Sequence, residues 1–432
     1  MLSVWQDYSS VQSFSPLKGD AKTHVLIIGG GITGLLTAYL LHQKGVPYIL
    51  LEKDKIAGGV TCNTTAKITY QHGLVYSKIL KMYGSEKAQM YLNAGRAAFD
   101  KYVSLCQEID CDFEFRDNYV YSVADSQKLW SELKALDSLR QEADFCLDLE
   151  LPFKTAGAVR FKNQAQFNPL KFLSHISRNL NIYENTKVQQ LVGTTALTDK
   201  GSVKADKIIV ATHFPFINKH GSYFLKMYQH RSYVIALKKA EKVNGMYVDE
   251  SKTGLSFRNY RDLLLIGGGD HRTGKKGGNW KELRDFAKRY YSRACEEYCW
   301  ATQDCMSLDE IPYIGQYSKN TPNMFTATGF NKWGMTNSLT AAMILSDAVQ
   351  GVKNECAEVF SPARSMLKTQ LLINGFEAVT NLLTPTTKRC PHLGCALKWN
   401  KAEHSWDCPC HGSRFAENGK VLENPANGDL RL

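Results

Sequence analysis

The chain has no run of eighteen apolar residues, which removes a membrane-spanning helix from consideration. Its first twenty residues, with Trp5, Asp7 and several serines, lack the basic start and apolar centre of a secretory signal, so the cytoplasm is the expected location. Blocks of like charge are missing too. Lys and Arg number 53 against 42 Asp and Glu, a net +11, but the basic residues are scattered and nucleic acid is not an expected partner. Only one stretch carries the glycine pattern of a dinucleotide site, and no residue set reads as a mononuclear-iron triad. The remaining composition is that of an ordinary globular protein, 44% hydrophobic, and 432 residues suffice for two or three domains.

Cysteine, by contrast, is plentiful at 12. Eight (Cys62, Cys106, Cys111, Cys146, Cys295, Cys299, Cys305 and Cys356) are strewn through apolar or helical surroundings, where a free thiol serves as a small buried hydrophobe. Cys390, Cys395, Cys408 and Cys410 crowd the tail.

The organising stretch is His24 to Glu52. A short β-branched run, His24 to Ile28, is followed by Gly29-Gly30-Gly31-Ile32-Thr33-Gly34, a G-x-G-x-x-G, and then by helical spacing from Leu35 to Lys44. In a strand, turn and helix of this kind Gly29 allows the turn, Gly31 lets backbone approach a pyrophosphate, and Gly34 lets helix pack on strand. The helix N-terminus turns free N–H groups toward the phosphates. A second buried strand, Pro47 to Leu51, ends in Glu52, the acid about 20 positions on that holds a ribose hydroxyl in such sites.

Downstream lie a hydroxyl-rich loop with Thr64 and Thr65, an amphipathic helix from Glu86 to Ile109, a strand from Phe113 to Val123 and a helix from Ser126 to Ala143. A helix from Leu170 to Arg178 and strands around Asn181 to Leu191 follow. Ala205 to Thr212 reads as a buried strand returning to the nucleotide sheet after an insertion. Short strands between Arg231 and Gly267 suggest an antiparallel wall for a substrate pocket, with Gly267 to Gly269 as a loop and Trp280 to Cys299 as a helix. Tyr228, Arg231 and Tyr233 are candidate lining residues of that pocket. Finally, Gly329 to Ser338 is a glycine-rich loop that opens the helix Leu339 to Gln350 and would aim its amides at an electron-rich ligand edge.

These pieces, in this order, resemble the FAD-dependent oxidoreductases of the D-amino-acid oxidase type, over about residues 20 to 350. The resemblance implies an α/β fold, an FAD-binding Rossmann-like domain with an inserted antiparallel-sheet substrate domain. It would comprise an N-terminal extension, 1–20, and an oxidoreductase, 21–355, with nucleotide-binding parts near 21–80, 180–215 and 320–355 and substrate parts near 81–179 and 216–319. By the same resemblance Gly29, Gly31, Gly34 and Glu52 would hold the ADP half of FAD, with Val188 near the adenine. Thr64, Thr65, Gly329, Gly334, Met335 and Thr336 would lie at the pyrophosphate and flavin ring. Lys67 and His72, close behind the hydroxyl-rich loop, are the ionisable residues expected to face the flavin in catalysis. The substrate would be a small amine or amino-acid-like molecule.

The tail carries Cys390-Pro391-His392 and, after fifteen intervening residues, Cys408-Pro409-Cys410-His411. Two cysteines and two histidines so arranged resemble a Rieske [2Fe-2S] site, with Cys390 and Cys408 on one iron and His392 and His411 on the other. Tetrahedral zinc on the same four residues is the alternative, although its usual ligand spacing is not met. Cys395 and Cys410 resemble the disulfide pair of Rieske proteins from cytochrome bc complexes. By the same likeness Ser413 would donate to a cluster sulfur, and Phe415 stands where those proteins place tyrosine. The resemblance implies a small all-β module at 386–432, after a linker helix at 356–385. The module is abbreviated, with few strands before its first ligand loop, and would be completed by packing on the flavin domain or by another subunit. The expectation is a dehydrogenase passing electrons from FAD to the cluster and on to an external partner, a protein or a quinone. A reductase running the other way and a non-enzymatic redox sensor or docking module are the alternatives.

Overall fold

The computed structural model describes residues 2–217, 220–251 and 253–431. Strand Ala21–Ile28 ends in four buried residues and pairs in parallel with Tyr48–Leu51 on one side and Ser202–Val210 on the other. These runs are apolar without alternation because both faces of a parallel sheet are covered. Met324–Thr328 lies parallel to Ser202–Val210, Ile182–Tyr183 lies parallel to Tyr48–Leu51, and Tyr313–Gln316 closes one edge. Three segments remote in sequence thus build one sheet. Helices Ile32–Gln43 and Gly334–Ala348 pack together over it, with Thr33 Oγ1 donating to Ser338 Oγ at 2.9 Å.

The second sheet runs Cys295–Ser307, Met227–Lys238, Leu263–Arg272, Ser256–Tyr260, Gly245–Asp249, Glu114–Ser122, Gly157–Gln166, Lys67–Ile68. It is antiparallel except where Gly245–Asp249 meets Glu114–Ser122. One apolar cluster extends from Leu35 and Leu36 through Tyr102 and Phe172 to Val234 and Trp300, so the two sheets share a core. The tail forms a separate four-stranded antiparallel sheet, Lys398–Asn400, Ser405–Asp407, Arg414–Ala416, Val421–Glu423, around a small core that includes all four tail cysteines and Phe415. The chain is therefore α/β with a small all-β module at its C-terminus, as the sequence suggested. Among the described residues no helix is long and apolar enough to cross a membrane.

Several elements differ from the sequence reading: the helix expected from Leu339 starts at Gly334, the one expected to run to Ala143 stops at Ser138, and three others change more. The helix expected from Trp280 to Cys299 is Asn279–Tyr290, after which Cys295–Ser307 is an edge strand. Pairing along the whole of Met227–Lys238 outweighs the local helical pattern, and Cys295 and Cys299 lie on that strand rather than one turn apart. Gly267 to Gly269 is not a loop but the middle of Leu263–Arg272. A Cβ on Gly267 would come within 2.7 Å of Ser256 Oγ, so glycine is there for close packing. The helix expected from Glu86 begins at Val75 and breaks at Gly84, where φ is +82°.

Candidate active site and cluster site

The turn after Ala21–Ile28 is built as its glycines require. Gly29 has φ +109°, and a Cβ there would lie 2.6 Å from Ala211 O. A Cβ on Gly34 would lie 1.9 Å from Gly29 O. Gly31 caps the helix Ile32–Gln43, whose Ile32 N–H donates to Thr61 Oγ1 at 3.1 Å. The Glu52 carboxylate accepts from Gly30 N–H at 2.7 Å and from Asp54 N–H at 2.9 Å. Burial raises its pKa, and the two N–H groups oppose that rise. The loop bearing Thr64 and Thr65 is held from behind by residues the sequence reading did not single out. Trp5 Nε1 donates to Thr64 O and Arg258 donates to Thr65 O and Ala66 O, each at 2.7 Å.

Beside this turn lies a cavity of about 850 Å3. Of the residues expected at the site, Gly29, Gly31, Glu52, Thr64, Thr65 and Val188 line it, as do Lys67, His72, Gly329, Gly334 and Met335. Gly34 and Thr336 stand behind the wall. Thr336 Oγ1 donates to Thr69 O at 2.6 Å and so ties the strand Lys67–Ile68 to the start of helix Gly334–Ala348.

Lys67 reaches Thr65 Oγ1 at 3.3 Å, and burial together with the Arg258 charge brings its ammonium down to about 7. His72 has both ring nitrogens engaged, Nε2 with Thr69 O at 2.9 Å and Nδ1 with Tyr91 Oη at 2.7 Å. Since a carbonyl only accepts, Nε2 carries the hydrogen and Nδ1 receives the tyrosine proton, so the imidazole is neutral with no lone pair to spare. Burial keeps it neutral, with a pKa lowered to about 3. The ring stacks on Trp333 at 5.3 Å between centroids.

At the end of the cavity walled by the second sheet, three elements bring together Asp270, Asp304 and Lys332. Lys332 Nζ pairs with Asp270 Oδ2, while burial lifts the Asp304 carboxyl to about 6 against the opposing charge of Lys332. Asn331 and Lys332 both have positive φ, 52° and 71°. Asn331 holds this turn by accepting from Ser307 N–H at 2.9 Å and donating to Gly329 O at 2.6 Å. Four buried polar atoms of the wall, Ser232 Oγ, Thr302 Oγ1, Asp270 Oδ1 and His213 Nε2, have no hydrogen-bond partner within the protein, which fits a cavity meant for ligands. Among the described residues no arginine lines it. Of the expected lining residues only Tyr233 does; Tyr228 lies under Arg272, and Arg231 points to the tail module.

In the tail, Cys395 and Cys410 are disulfide-bonded, with Cα atoms 6.7 Å apart, which leaves Cys390 and Cys408 as the free thiols. The neighbouring Cys408 thiol, and Ser413 with it, draw the pKa of Cys390 below its ordinary value. The His392 and His411 rings lie 4.9 Å apart. Burial pulls both imidazoles down, to about 4 and about 3, so both are neutral as metal ligands must be. His411 Nδ1 is buried with no hydrogen-bond partner. Two thiols and two neutral imidazoles on facing loops fit a [2Fe-2S] cluster, and Cys390, His392, Cys408 and His411 could hold it.

The module is clamped to the rest of the chain. Gln229 donates to His411 O at 2.9 Å and Asn424 O at 2.8 Å, Gln303 to Gly412 O at 2.9 Å, and Arg272 to Pro409 O at 3.0 Å and Cys410 O at 3.1 Å. Gly412, at φ +84°, has no room for a side chain, since a Cβ would fall 2.4 Å from Gln229 Cβ. In return Asn424 donates to Phe214 O at 2.6 Å and Asn427 to Gln189 O at 3.2 Å, and Glu423, Asn424, Ala426 and Asn427 line the cavity. The Phe214 ring, just past the return strand, lies 6.5 Å from that of His392.

The parallel sheet with its glycine turn, the inserted wall and the cysteine–histidine loops define a flavin enzyme carrying an iron–sulfur module. The chain belongs to the FAD dependent oxidoreductase (DAO) family, whose model matches residues 24–348, and a Rieske [2Fe-2S] domain matches residues 364–432. FAD and a Rieske [2Fe-2S] cluster are its cofactors. The Rieske match takes in the helix Thr369–Leu383, which the sequence reading placed in a linker. A Bacillus subtilis protein named as a Rieske 2Fe-2S iron-sulfur protein, YhfW, is 34% identical across 99% of this chain and 97% of its own length. Glycine oxidase from Geobacillus kaustophilus has the same fold over 80% of this chain and all of its own, with TM-score 0.68 at 16% identity. L-proline dehydrogenase from P. horikoshii matches 80% of this chain and 98% of its own, with TM-score 0.67 at 15% identity.

Proposed function

We propose that the chain is a dehydrogenase that oxidises a small amine or amino-acid-like substrate in the cavity, and that the electrons leave through the docked Rieske module to an external acceptor, a protein or a quinone. The observation that carries this reading is that Glu423, Asn424, Ala426 and Asn427 of the module belong to the wall of the same cavity, with His392 beside Phe214. When bound, FAD takes two electrons and the cluster carries one, so the pair joins a two-electron oxidation to single-electron delivery.

The residues divide the work. Gly29, Gly31 and Glu52 would bind the ADP half of FAD, with Val188 at the adenine, and Thr64, Thr65, Gly329, Gly334 and Met335 would surround the rest. Gly34 and Thr336 would support them from behind the wall. Asp270 and Asp304 would attract a cationic substrate. Lys67, neutral above about pH 7, would take the ammonium proton on Nζ and leave the amine able to lose hydride. His72, with no lone pair to offer, would orient the Trp333 wall rather than act as base. The names of the two structural neighbours, glycine oxidase and L-proline dehydrogenase, support an amine carbon as the site of oxidation.

The test is anaerobic mixing of the holoprotein with small amines, with and without an α-carboxylate. Bleaching of the flavin by amines, with imine or carbonyl product, is expected. Steady NADH consumption with no bleaching by any amine would favour the reductase reading instead.

A further inference from the structure

The helix Thr369–Leu383 lies on the protein with its polar side inward. Asn374 and Asn381 are buried. Asn374 accepts from Arg272 at 3.0 Å and donates to Leu225 O at 3.3 Å, and the Asn381 carbonyl accepts from Ala396 N–H at 3.0 Å. The outward face carries Leu372, Ile373, Phe376, Val379 and Leu383, between 48% and 77% exposed. Helical spacing places these on one stripe, and Leu367, 86% exposed, extends it. A surface helix ordinarily turns such a stripe to the core. Here specific polar bonds fix the opposite orientation, so the apolar face is presented outward by construction.

The surroundings indicate what covers it. The helix holds one charged residue, Glu377, and Lys275 pairs with it at 2.7 Å. Lys368 precedes the helix and Lys388 and Arg389 follow it, on a chain of net charge +11. Leu393, 39% exposed, adjoins the far end of the stripe, where a Cβ on Gly394 would lie 3.9 Å from Leu382 Cδ2. An aliphatic and aromatic stripe between basic ends is the arrangement of helices that lie in the plane of a bilayer interface. A second copy would set basic ends near one another, and the stripe offers little but Thr380 to fix register with a protein partner.

We propose that this face seats the protein on an anionic lipid surface, the helix lying parallel to it with its apolar stripe among the acyl chains and the positive charge of Lys388, Arg389 and Lys368 at its ends facing the head groups. Arg389 does so while bonding Leu382 O, Thr384 O and Gly394 O, and Lys368 while lying over Tyr83. The association is peripheral, and it holds whichever way electrons flow.

Flotation of the holoprotein with vesicles of phosphatidylcholine alone, and of phosphatidylcholine with phosphatidylglycerol, tests it. Binding to the anionic vesicles should exceed binding to the neutral ones by about tenfold or more and fall as salt rises. The double variant Phe376→Glu with Leu383→Glu should lose that binding while keeping its flavin and iron content and its unfolding midpoint. Wild-type protein that floats with neither vesicle, or a variant that floats as well as wild type, overturns the proposal. So does wild-type dimerisation in sedimentation velocity that the same variant abolishes, since the face would then belong to a second copy.

Discussion

Replacing Arg231 by methionine should loosen the iron–sulfur module from the flavin domain. The Arg231 guanidinium reaches across the interface to Glu403 and, at 3.1 Å, to Glu423, while Arg414 holds Glu403 and Asp407, each at 2.9 Å. Tyr233 Oη adds a bond to Glu403 at 3.0 Å. The Arg231, Arg414 and Glu403 side chains are 4%, 4% and 8% exposed, so solvent screens this cluster little. Burial pushes the Glu403 carboxyl up, but Arg231 and Arg414 outweigh it and hold it at about 2 against its ordinary 4.5. At 1.36 kcal/mol per pH unit the full shift is about 3 kcal/mol, which Arg231 shares with Arg414 of the module itself, while breaking a buried pair by deleting one partner costs about 3–5 kcal/mol. With about 1.4 kcal/mol per factor of ten, the undocked population should rise roughly 100-fold or more. Because the folded-state value is depressed, the contribution is complete above about pH 4.5 and disappears as pH falls toward 2, so variant and wild type should converge in that window. Cleavage by added protease in the segment before helix Thr369–Leu383, together with the thermal unfolding midpoint, reads the effect. An Arg231→Met protein cleaved and unfolded like wild type at neutral pH would refute the reasoning.

Three further changes separate the parts of the site. Gly34→Ala puts a methyl 1.9 Å from Gly29 O, overpacking that costs about 1–3 kcal/mol, and should leave purified protein with a much lower flavin-to-protein ratio. Lys67→Met should remove a pH limb from the rate of flavin bleaching by amine: in wild type the rate climbs through about pH 7 as the ammonium loses its proton, and in the variant it should stay low and flat there. Cys408→Ser should bring iron and acid-labile sulfide to background while the flavin content holds, because that thiol sits beside Cys390 in the tail site and does not line the cavity.

The parts of this molecule that could be read without coordinates are those written in consecutive residues. Strand, glycine turn, helix and Glu52 depend on contacts within about 30 positions, and the ligand loops carry their chemistry in short motifs. What could not be read depends on which surface covers a strand. Arg231 and Tyr233 lie near one another on Met227–Lys238, yet only Tyr233 reaches the cavity and both reach Glu403, because the tail module covers that side of the sheet. Asp270, Asp304 and Lys332 come from three elements and carry no shared pattern. Trp5 stands in a stretch that looked like a mere extension, and its bond to Thr64 O and its place in the main core show its purpose. The short module was expected to be completed by packing on the flavin domain or by another subunit. Gln229, Gln303 and Arg272 gripping the loop 408–413 show packing of the first kind, but nothing local in the sequence marks those three residues.

The central claim is that one chain joins an amine-oxidising flavin site to a docked Rieske cluster in a single electron path. Its most direct test is to add substrate without air to fully loaded protein and follow flavin absorbance and the cluster's paramagnetic signal together. The account predicts that the flavin bleaches and the signal of the reduced cluster appears in the same sample before any external acceptor is added. Bleached flavin beside a cluster that stays oxidised would contradict it.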